Sequence, residues 1–443
     1  MDGALKLEGK RVVVVGMARS GVAALRLLRQ KGALVRAVDE RPMGEVDGVT
    51  VELQTEAAFR DADLVVISPG VPTDLELLDA VRSRGIPVIG ELELAAPFLQ
   101  GKSIGITGSN GKTTATALTG HILESSGIAC QVGGNIGTPP ASMVETSRPE
   151  QWNVLELSSF QLETIRTFHS EIGVCLNVTP DHLDRHHTFD GYAAAKRRLF
   201  ETQHSSEFAV LNADDATCVA FAGHTKAQVI WFSLERRMTR GACLEDGELR
   251  LDGEPLMEAR EIPLRGRHNI ENTLAASIAA GLAGASLPQI ADAVRSFPGV
   301  EHRLEFVREI AGVSYYNDSK ATNVDATLKA IDAFPGGLWI ILGGKDKDSD
   351  YTVLRDPLRA KARAALLIGA AARKIAAHLG EDAVPVMHCG TLASAVEQAY
   401  RSAESGDTVL LAPACASFDQ FDNFEHRGRV FKELVNALQE GAC

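Results

Sequence analysis

Residues 103–114 read Ser-Ile-Gly-Ile-Thr-Gly-Ser-Asn-Gly-Lys-Thr-Thr, a pattern that predicts an apolar strand, a glycine turn and the start of a helix. Such a turn typically binds phosphate, because backbone N–H groups and the positive end of the helix dipole face the anion. Lys112 would lie beside the β- and γ-phosphates, and Thr113 offers a hydroxyl to Mg²⁺. Ile106 replaces the first glycine of the common G-x-x-x-x-G-K-[ST] pattern, so an ordinary strand-to-helix turn is the alternative interpretation.

The composition predicts a protein of several domains, because 443 residues exceed what one hydrophobic core usually organises. The net charge of −13 excludes non-specific binding to nucleic acid, which needs a basic surface to displace counterions. Seven cysteines are scattered without C-x-x-C spacing, so we expect free thiols rather than disulfides or a zinc knuckle. An anionic ligand must then be held by local cations and backbone amides.

The sequence also predicts a cytoplasmic protein without membrane insertion. No apolar run approaches the roughly 20 residues that cross a bilayer. The start of the chain, Met1-Asp2-Gly3-Ala4, lacks the basic and apolar regions of a signal peptide. We expect the protein to work as a monomer.

An N-terminal domain is expected at residues 1–96, where strands and helices alternate in a Rossmann-like order. The first turn, residues 16–21, reads Gly-Met-Ala-Arg-Ser-Gly, with alanine in place of the glycine that lets a pyrophosphate approach. Asp39 ends the second strand, where an acid would contact a ribose. The turn favours a nucleotide other than NAD, and packing of the helix on the strand without a ligand is the alternative. The strands are predicted at 11–15, 34–38, 64–67 and 87–89, and a helix at 21–31.

A central domain is expected at residues 97–299 and a third domain at 300–443, each with its own series of strands and helices. The predicted fold class is therefore α/β. The central domain would contain a parallel P-loop sheet, and the domains before and after it in the sequence would both be Rossmann-like. The central strands are predicted at 103–107, 153–157, 172–177, 208–212 and 228–232, with either hairpins or an irregular excursion at 241–258 and a helix at 269–283. The later strands are predicted at 313–317, 338–342, 364–368, 384–387 and 408–411.

Acidic and imidazole side chains follow the central strands, at the sheet edge where a γ-phosphate would lie. Glu156 interrupts an apolar strand, so it is either a Mg²⁺ ligand together with Thr113 or a salt-bridged acid of the core. The segment after the next strand holds two carboxylates and three imidazoles, and its spacing matches no zinc motif. We place His182 near a second Mg²⁺ and expect His186 and His187 to be solvated turn residues.

Lys196 lies on a short predicted helix among small residues. A protonated lysine cannot bind a cation, so it would pair with an acid or with phosphate. The other possibility is reaction with CO₂ to a carbamate, whose oxygens can bind Mg²⁺. From the residues alone, the salt bridge is the favoured interpretation.

Eight segments carry a joint pattern: 105–114, 133–137, 155–162, 181–185, 266–272, 302–303, 317–323 and 414–421. Together they resemble the Mur ligases, and the resemblance covers essentially the whole chain. Segments 158–163 and 417–428 point to the family member that adds D-glutamate.

This resemblance implies an ATP-dependent acid–amino-acid ligase of peptidoglycan precursor synthesis, with one domain each for UDP, ATP and the incoming amino acid. The carboxylate of UDP-N-acetylmuramoyl-L-alanine would attack the γ-phosphate of ATP to give an acyl phosphate. The amine of D-glutamate would then attack the acyl phosphate and release phosphate. Two Mg²⁺ ions would reduce the repulsion between the two anions.

The resemblance also implies roles for single residues, with Lys112, His182 and Lys196 as the catalytic group. It places one Mg²⁺ at Thr113 and Glu156 and the other at His182 and a carbamate of Lys196, which reverses the preference for a salt bridge. The implied ATP-binding residues are Gly108, Ser109, Asn110, Gly111, Lys112, Thr113, Thr114, Asn269, Asn272, Arg303 and Asp318. The implied substrate contacts are Asp39 and Arg41 on the uracil side, Asn135 at the muramoyl group, and Thr322, Lys347, Ser417 and Phe424 at D-glutamate.

Two other functions would explain parts of the sequence. A nicotinamide-dependent oxidoreductase would account for the first domain, but it leaves Lys112, Thr113 and Glu156 without a role. A P-loop hydrolase would account for the phosphate-binding loop, and it would release phosphate from ATP alone.

Overall fold

The structure is a computed structural model that describes residues 5–346, 348–380 and 382–439. The chain divides into two compact units. The first unit contains the residues up to Glu261 together with Glu271–Phe297, and the second contains Ile262–Ile270 and the residues from Pro298 onward. Three helix-flanked sheets confirm the α/β class. The domain boundaries after residues 96 and 299 stay predictions.

The first sheet belongs to the first unit and has six strands. They are β1 (Arg11–Val15), β2 (Leu34–Asp39), β3 (Glu45–Val46), β4 (Val49–Leu53), β5 (Leu64–Ile67) and β6 (Val88–Gly90). The order is β3-β4-β2-β1-β5-β6, and the described pairs are parallel except β3 with β4. The four valines of β1 are buried, as expected for a strand covered on both faces. Its helices are α1 (Arg19–Gln30), α2 (Glu76–Ser83) and α3 (Glu91–Ala95).

The second sheet also belongs to the first unit. Its strands are β7 (Lys102–Thr107), β8 (Cys130–Gly134), β9 (Trp152–Glu156), β10 (Ile172–Cys175), β11 (Phe208–Asn212), β12 (Gln228–Ser233), β13 (Gly241–Glu245), β14 (Glu248–Leu251) and β15 (Glu254–Glu258). The order is β15-β14-β13-β12-β11-β10-β7-β9-β8. Strands β13, β14 and β15 form antiparallel hairpins, the first of the two alternatives predicted for 241–258.

Eight helices follow in this part of the sequence: α4 (Lys112–Ser125), α5 (Pro140–Met143), α6 (Ser159–Leu162), α7 (Leu183–His186), α8 (Phe189–Glu201), α9 (Ala216–Phe221), α10 (Arg267–Leu282) and α11 (Leu287–Ser296). The first four residues of α10 belong to the second unit and the rest to the first. Strand β7 lies between β9 and β10 and is parallel to both. The carboxyl ends of these three strands therefore meet at one edge of the sheet, where α/β folds bind ligands.

The third sheet belongs to the second unit. Its strands are β16 (Glu305–Ile310), β17 (Val313–Asn317), β18 (Leu338–Gly343), β19 (Ala362–Ile368), β20 (Val386–Gly390) and β21 (Thr408–Leu411). They lie in the order β16-β17-β21-β18-β19-β20, with only the pair of β16 and β17 antiparallel among the described strands. Its helices are α12 (Val324–Asp332), α13 (Arg355–Lys361), α14 (Ala372–Leu379), α15 (Leu392–Ser402) and α16 (Phe424–Asn436).

Short 3₁₀ helices complete the secondary structure at Glu56–Phe59, Ala96–Phe98, Ala222–His224, Ala259–Glu261 and Thr352–Leu354. Among the helices of the described residues, none is long and apolar enough to cross a lipid bilayer.

Candidate active site

The predicted phosphate-binding loop joins β7 to α4, as the sequence analysis expects. Gly111 has φ of +85°, and a Cβ at this position would lie 2.2 Å from Oδ1 of Asn272. Only glycine fits both the backbone conformation and the close contact. Helix α4 begins at Lys112 and runs for 14 residues, so its positive end lies at the loop.

Asn177 holds this loop in place from the segment after β10. Its carbonyl oxygen accepts a hydrogen bond from the amide of Ser109 at 2.9 Å. Its Oδ1 accepts one from the amide of Asn110, also at 2.9 Å. Two of the amides that we expected to face the anion therefore fix the shape of the loop instead.

Two lysines converge on one carbonyl of the loop. Lys112 Nζ donates to the carbonyls of Gly108 and Ser109 at 2.9 Å, and Lys196 Nζ donates to that of Gly108 at 2.8 Å. Lys196 is 1% exposed on α8, and no carboxylate of the described residues pairs with it. Burial, helped by the charge of Lys112, lowers the pKa of Lys196 to about 7. The structure thus contradicts the salt bridge to an acid.

Glu156 ends β9 at the same sheet edge and is 2% exposed. Its Oε1 accepts a hydrogen bond from Asn135 Nδ2 at 2.9 Å. Its Oε2 is buried and has no hydrogen-bond partner among the described residues. None of the described residues forms a salt bridge with Glu156 either. A buried carboxylate with one unsatisfied oxygen suits a hard cation, and Thr113, in the first turn of α4, could supply a second oxygen.

Tyr192 connects the predicted catalytic side chains. Its hydroxyl lies 3.0 Å from Ser109 Oγ, and Lys196 Nζ lies 4.5 Å from the centre of its ring. The ring centroids of His182 and His186 lie 6.4 Å and 5.3 Å from that of Tyr192. Tyr192 therefore brings His182, Lys196 and the loop to one place.

His186 corrects the prediction of a solvated turn residue. Its side chain is 4% exposed, with Nδ1 3.0 Å from Glu163 Oε1 and Nε2 2.9 Å from Ser159 Oγ. Burial lowers the pKa of His186, so the neutral ring is favoured. The side chain of His187 is 71% exposed, as predicted.

A cavity of about 1020 Å³ in the first unit contains both Asp39 and Asn135 in its wall. The Asp39 carboxylate accepts hydrogen bonds from the amides of Met17 at 2.7 Å and Arg41 at 3.2 Å. The Arg41 side chain is not part of the cavity wall; it is 81% exposed and pairs with Glu40. The other wall segments are 16–20, 53–55, 68–72 and 75–77, with Glu40, Gly134, Gly137, Pro139 and Gln161.

In the second unit, Arg303 lies close to Asp318 and to His268. Asp318 is 5% exposed, and burial raises its pKa to about 6 although the charge of Arg303 acts in the opposite direction. Burial and the charge of Arg303 lower the pKa of His268 to about 4. Asn269 follows His268 and donates from Nδ2 to the carbonyl of Arg265 at 2.6 Å.

The residues expected at D-glutamate also lie in the second unit. Thr322 follows β17, Ser417 follows β21 and is 2% exposed, and Phe424 begins α16. Lys320 Nζ lies 5.8 Å from the centre of the Phe424 ring. Lys347 lies outside the described residues.

Arg427 joins the loops that carry these residues. It is 1% exposed on α16 and donates to Ser319 Oγ at 2.9 Å and to the Ser319 carbonyl at 2.8 Å. It also donates to the Cys415 carbonyl at 3.2 Å. Burial lowers the pKa of Arg427 to about 10, so the guanidinium remains charged at neutral pH.

Comparison with known proteins decides the family. Residues 10–90 match the Mur ligase MurD-like N-terminal domain, residues 106–280 the Mur ligase middle domain, and residues 302–415 the Mur ligase glutamate ligase domain. The chain belongs to the Mur ligase family.

Two curated relatives of this Mur ligase are both named UDP-N-acetylmuramoylalanine--D-glutamate ligase. The protein from Solibacter usitatus is 61% identical over 440 residues, covering 98% of this chain and 99% of the relative. The protein from Acidobacterium capsulatum is 52% identical over 456 residues, covering 99% of each.

Solved structures share the fold at low sequence identity. A MurF ligase from Thermotoga maritima in complex with ADP gives a TM-score of 0.63 at 17% identity, covering 97% of this chain and 95% of that one. A pseudomurein peptide ligase type C from Methanothermus fervidus gives 0.61 at 19% identity, covering 97% and 100%.

Sequence reasoning about this Mur ligase missed three residues with evident structural roles: Asn177, Tyr192 and Arg427. Asn177 had a visible signal, because it is a polar residue directly after a buried strand. Tyr192 and Arg427 lie on amphipathic helices, where the sequence pattern does not distinguish a buried polar residue from an exposed one.

Proposed function

We propose that this Mur ligase joins D-glutamate to UDP-N-acetylmuramoyl-L-alanine and converts ATP to ADP and phosphate. It would act as a monomer in the cytoplasm, in peptidoglycan precursor synthesis and without membrane insertion. The observation that carries the proposal is the hydrogen bond of 2.9 Å between Asn135 and Glu156. It links the wall of the large cavity to the edge of the sheet that carries the phosphate-binding loop.

The cavity would hold the UDP-sugar substrate, with Asp39 toward the base and Asn135 toward the muramoyl-alanine end. Asp39 uses its carboxylate to fix the first turn, so its contribution is to shape the cavity through the amides of Met17 and Arg41. Asn135 would then hold the substrate carboxylate near the γ-phosphate. Such positioning of two reactants is worth several orders of magnitude in rate.

ATP would be held by the loop residues 108–114, by Asn272 beside Gly111, and by Asn269, Arg303 and Asp318 of the second unit. Lys112 supplies a cation near the transferred phosphate. Its present hydrogen bonds to two loop carbonyls keep the ammonium at the loop. The electrostatic attraction would increase as negative charge builds up in the transition state.

Thr113 and Glu156 would hold one Mg²⁺, and His182 with a carbamate of Lys196 would hold a second. Bound Mg²⁺ would reduce the repulsion between the substrate carboxylate and the γ-phosphate. The low pKa of Lys196 supports the carbamate, because the neutral amine adds to CO₂, forms an N–C bond and releases one proton.

Attack of the substrate carboxylate on the γ-phosphate forms an acyl phosphate and ADP. Thr322, Lys347, Ser417 and Phe424 would hold D-glutamate. Its amine attacks the acyl carbon, and phosphate leaves as the amide forms and the amine loses a proton. Arg427 positions the loops that carry Thr322 and Ser417.

A phosphate-release assay tests the proposal. With UDP-N-acetylmuramoyl-L-alanine and ATP fixed, we expect D-glutamate to give sustained release, and L-glutamate or D-aspartate to give far less. Release from ATP alone at the same rate would instead identify a P-loop hydrolase. Release that is equal for all amino acids would refute the specificity for D-glutamate.

A further inference from the structure

We propose that His169, His204 and Glu207 form a binding site for a transition metal ion such as Zn²⁺. His169 lies before β10, and the other two residues lie before β11. The phosphate-binding loop follows the opposite, carboxyl end of β7, which is parallel to β10. The proposed site therefore lies at the other edge of the second sheet, and the inference does not depend on the proposed function.

The three side chains already bring their metal-binding atoms together. One ligand atom from each lies within 4.8 Å of the others. His169 Nδ1 and Glu207 Oε1 are 2.7 Å apart, and the ring centroids of the two histidines are 4.8 Å apart. Donors around a tetrahedral Zn²⁺ with bonds of about 2.0–2.2 Å lie roughly 3.4 Å apart. To complete such a site, the His169–Glu207 pair would open by about 0.7 Å and the exposed His204 side chain would rotate.

Glu207 is fixed in a conformation that leaves one oxygen for the site. The residue is 6% exposed, and its Oε2 accepts a hydrogen bond from the amide of His204 at 2.6 Å. Oε1 faces His169 Nδ1, a buried atom that has no hydrogen-bond partner among the described residues. The two atoms lie at ion-pair distance, and a metal ion that takes the place of the imidazolium proton would bind both of them.

The donor set indicates the class of metal. Two imidazoles and one carboxylate suit Zn²⁺, Co²⁺ or Ni²⁺, whereas Mg²⁺ and Ca²⁺ prefer oxygen ligands alone. The exposure of His204 leaves room for water as a fourth ligand. Because β10 and β11 are paired, with Ile172 opposite Phe208, a metal here would tie together the segments before two neighbouring strands. We therefore infer a stabilising role.

Co²⁺ and Zn²⁺ titrations of the full chain, with excess Mg²⁺ to occupy oxygen sites, test this inference. We expect one equivalent of Co²⁺ to give a visible absorption band, and Zn²⁺ to raise the melting temperature. Both effects should be lost in His204→Ala, a change at an exposed side chain, and in Glu207→Gln, which keeps the acceptor for the His204 amide. His224→Ala, at another exposed histidine, should keep both effects.

The inference is wrong if the chain binds no Co²⁺, which would leave His169 and Glu207 as an ion pair. It is also wrong if the band persists in His204→Ala or disappears in His224→Ala. Ligase activity does not enter either measurement, so a failure here is separate from a failure of the proposed function.

Discussion

At the scale of single residues, Lys112 and Lys196 differ in their surroundings rather than in their chemistry. Both ammonium groups donate to the Gly108 carbonyl, but Lys196 is buried against the Tyr192 ring and forms no ion pair within the described chain. Desolvation and the neighbouring charge favour its neutral form. Sequence reasoning could find Lys196 only through the family resemblance, because its burial depends on tertiary packing.

Lys196→Ala is expected to abolish ligation, because it removes the carbamate proposed as a metal ligand. Addition of a short carboxylate such as formate should restore part of the rate by entering the space that the side chain leaves. Steady-state phosphate release with both co-substrates measures this. Arg197→Ala, on the same helix with a partly exposed side chain, should keep its activity. Unimpaired turnover of Lys196→Ala would remove this residue from the metal site.

Glu91 offers a test of pKa and stability that is independent of catalysis. Burial raises its pKa to about 8, although Oε1 accepts a hydrogen bond from the amide of Ala141 at 2.6 Å. Between pH 4.5 and 8 the folded protein therefore binds more protons at this carboxyl than the unfolded chain does. The contribution of Glu91 to the free energy of unfolding therefore falls as the pH rises through this range.

We expect Glu91→Gln to raise the free energy of unfolding by about 1–3 kcal/mol at pH 8, because a neutral amide replaces a buried carboxylate. The gain should shrink toward pH 4.5, where the carboxyl is protonated in the folded protein and half protonated in the unfolded chain. Urea unfolding of both proteins at several pH values measures this difference in the free energy of unfolding. The exposed Glu56→Gln should show no such trend. A gain of equal size at pH 4.5 and pH 8 would contradict the assignment.

At the scale of elements, the sequence predicts best the strands that are almost entirely buried. Strands β1, β5, β11, β17 and β21 have the predicted bounds. Strand β8 was missed, because Cys-Gln-Val-Gly-Gly carries no strand pattern. Its glycines serve tertiary packing: a Cβ at Gly133 would lie 2.4 Å from the Thr138 carbonyl oxygen, and one at Gly134 would lie 2.2 Å from that of Glu156.

Gly111→Ala should weaken ATP binding roughly 10- to 100-fold, because either the loop or the Asn272 side chain beside it must move to accept a Cβ. Isothermal titration with a non-hydrolysable ATP analogue measures this. Gly127→Ala is a matched control, since Gly127 also has a positive φ, +72°, but nothing lies within 4 Å of its Cβ position. It should lower stability by about 1–2 kcal/mol and leave ATP affinity intact. If both variants lost the same ATP affinity, the strained positive φ alone, and not the contact with Asn272, would explain the loss.

At the scale of the whole molecule, the second and third sheets place candidate site residues at or directly after strand ends. The phosphate-binding loop follows β7, Glu156 ends β9, and Asp318 follows β17. The order of strands and helices in the sequence was enough to predict the α/β class and these positions. It was not enough to predict which side chains meet, such as Asn135 with Glu156 or Arg427 with Ser319, since those contacts join residues 21 and 108 positions apart.

In the proposed reaction, the substrate carboxylate takes the γ-phosphate of ATP before the amine of D-glutamate attacks. UDP-N-acetylmuramoyl-L-alanine labelled with oxygen-18 in its carboxylate tests it most directly, with the released phosphate analysed by mass spectrometry. If an acyl phosphate forms, one labelled oxygen passes to phosphate in each turnover. Unlabelled phosphate, released while the amide product forms, would contradict the account.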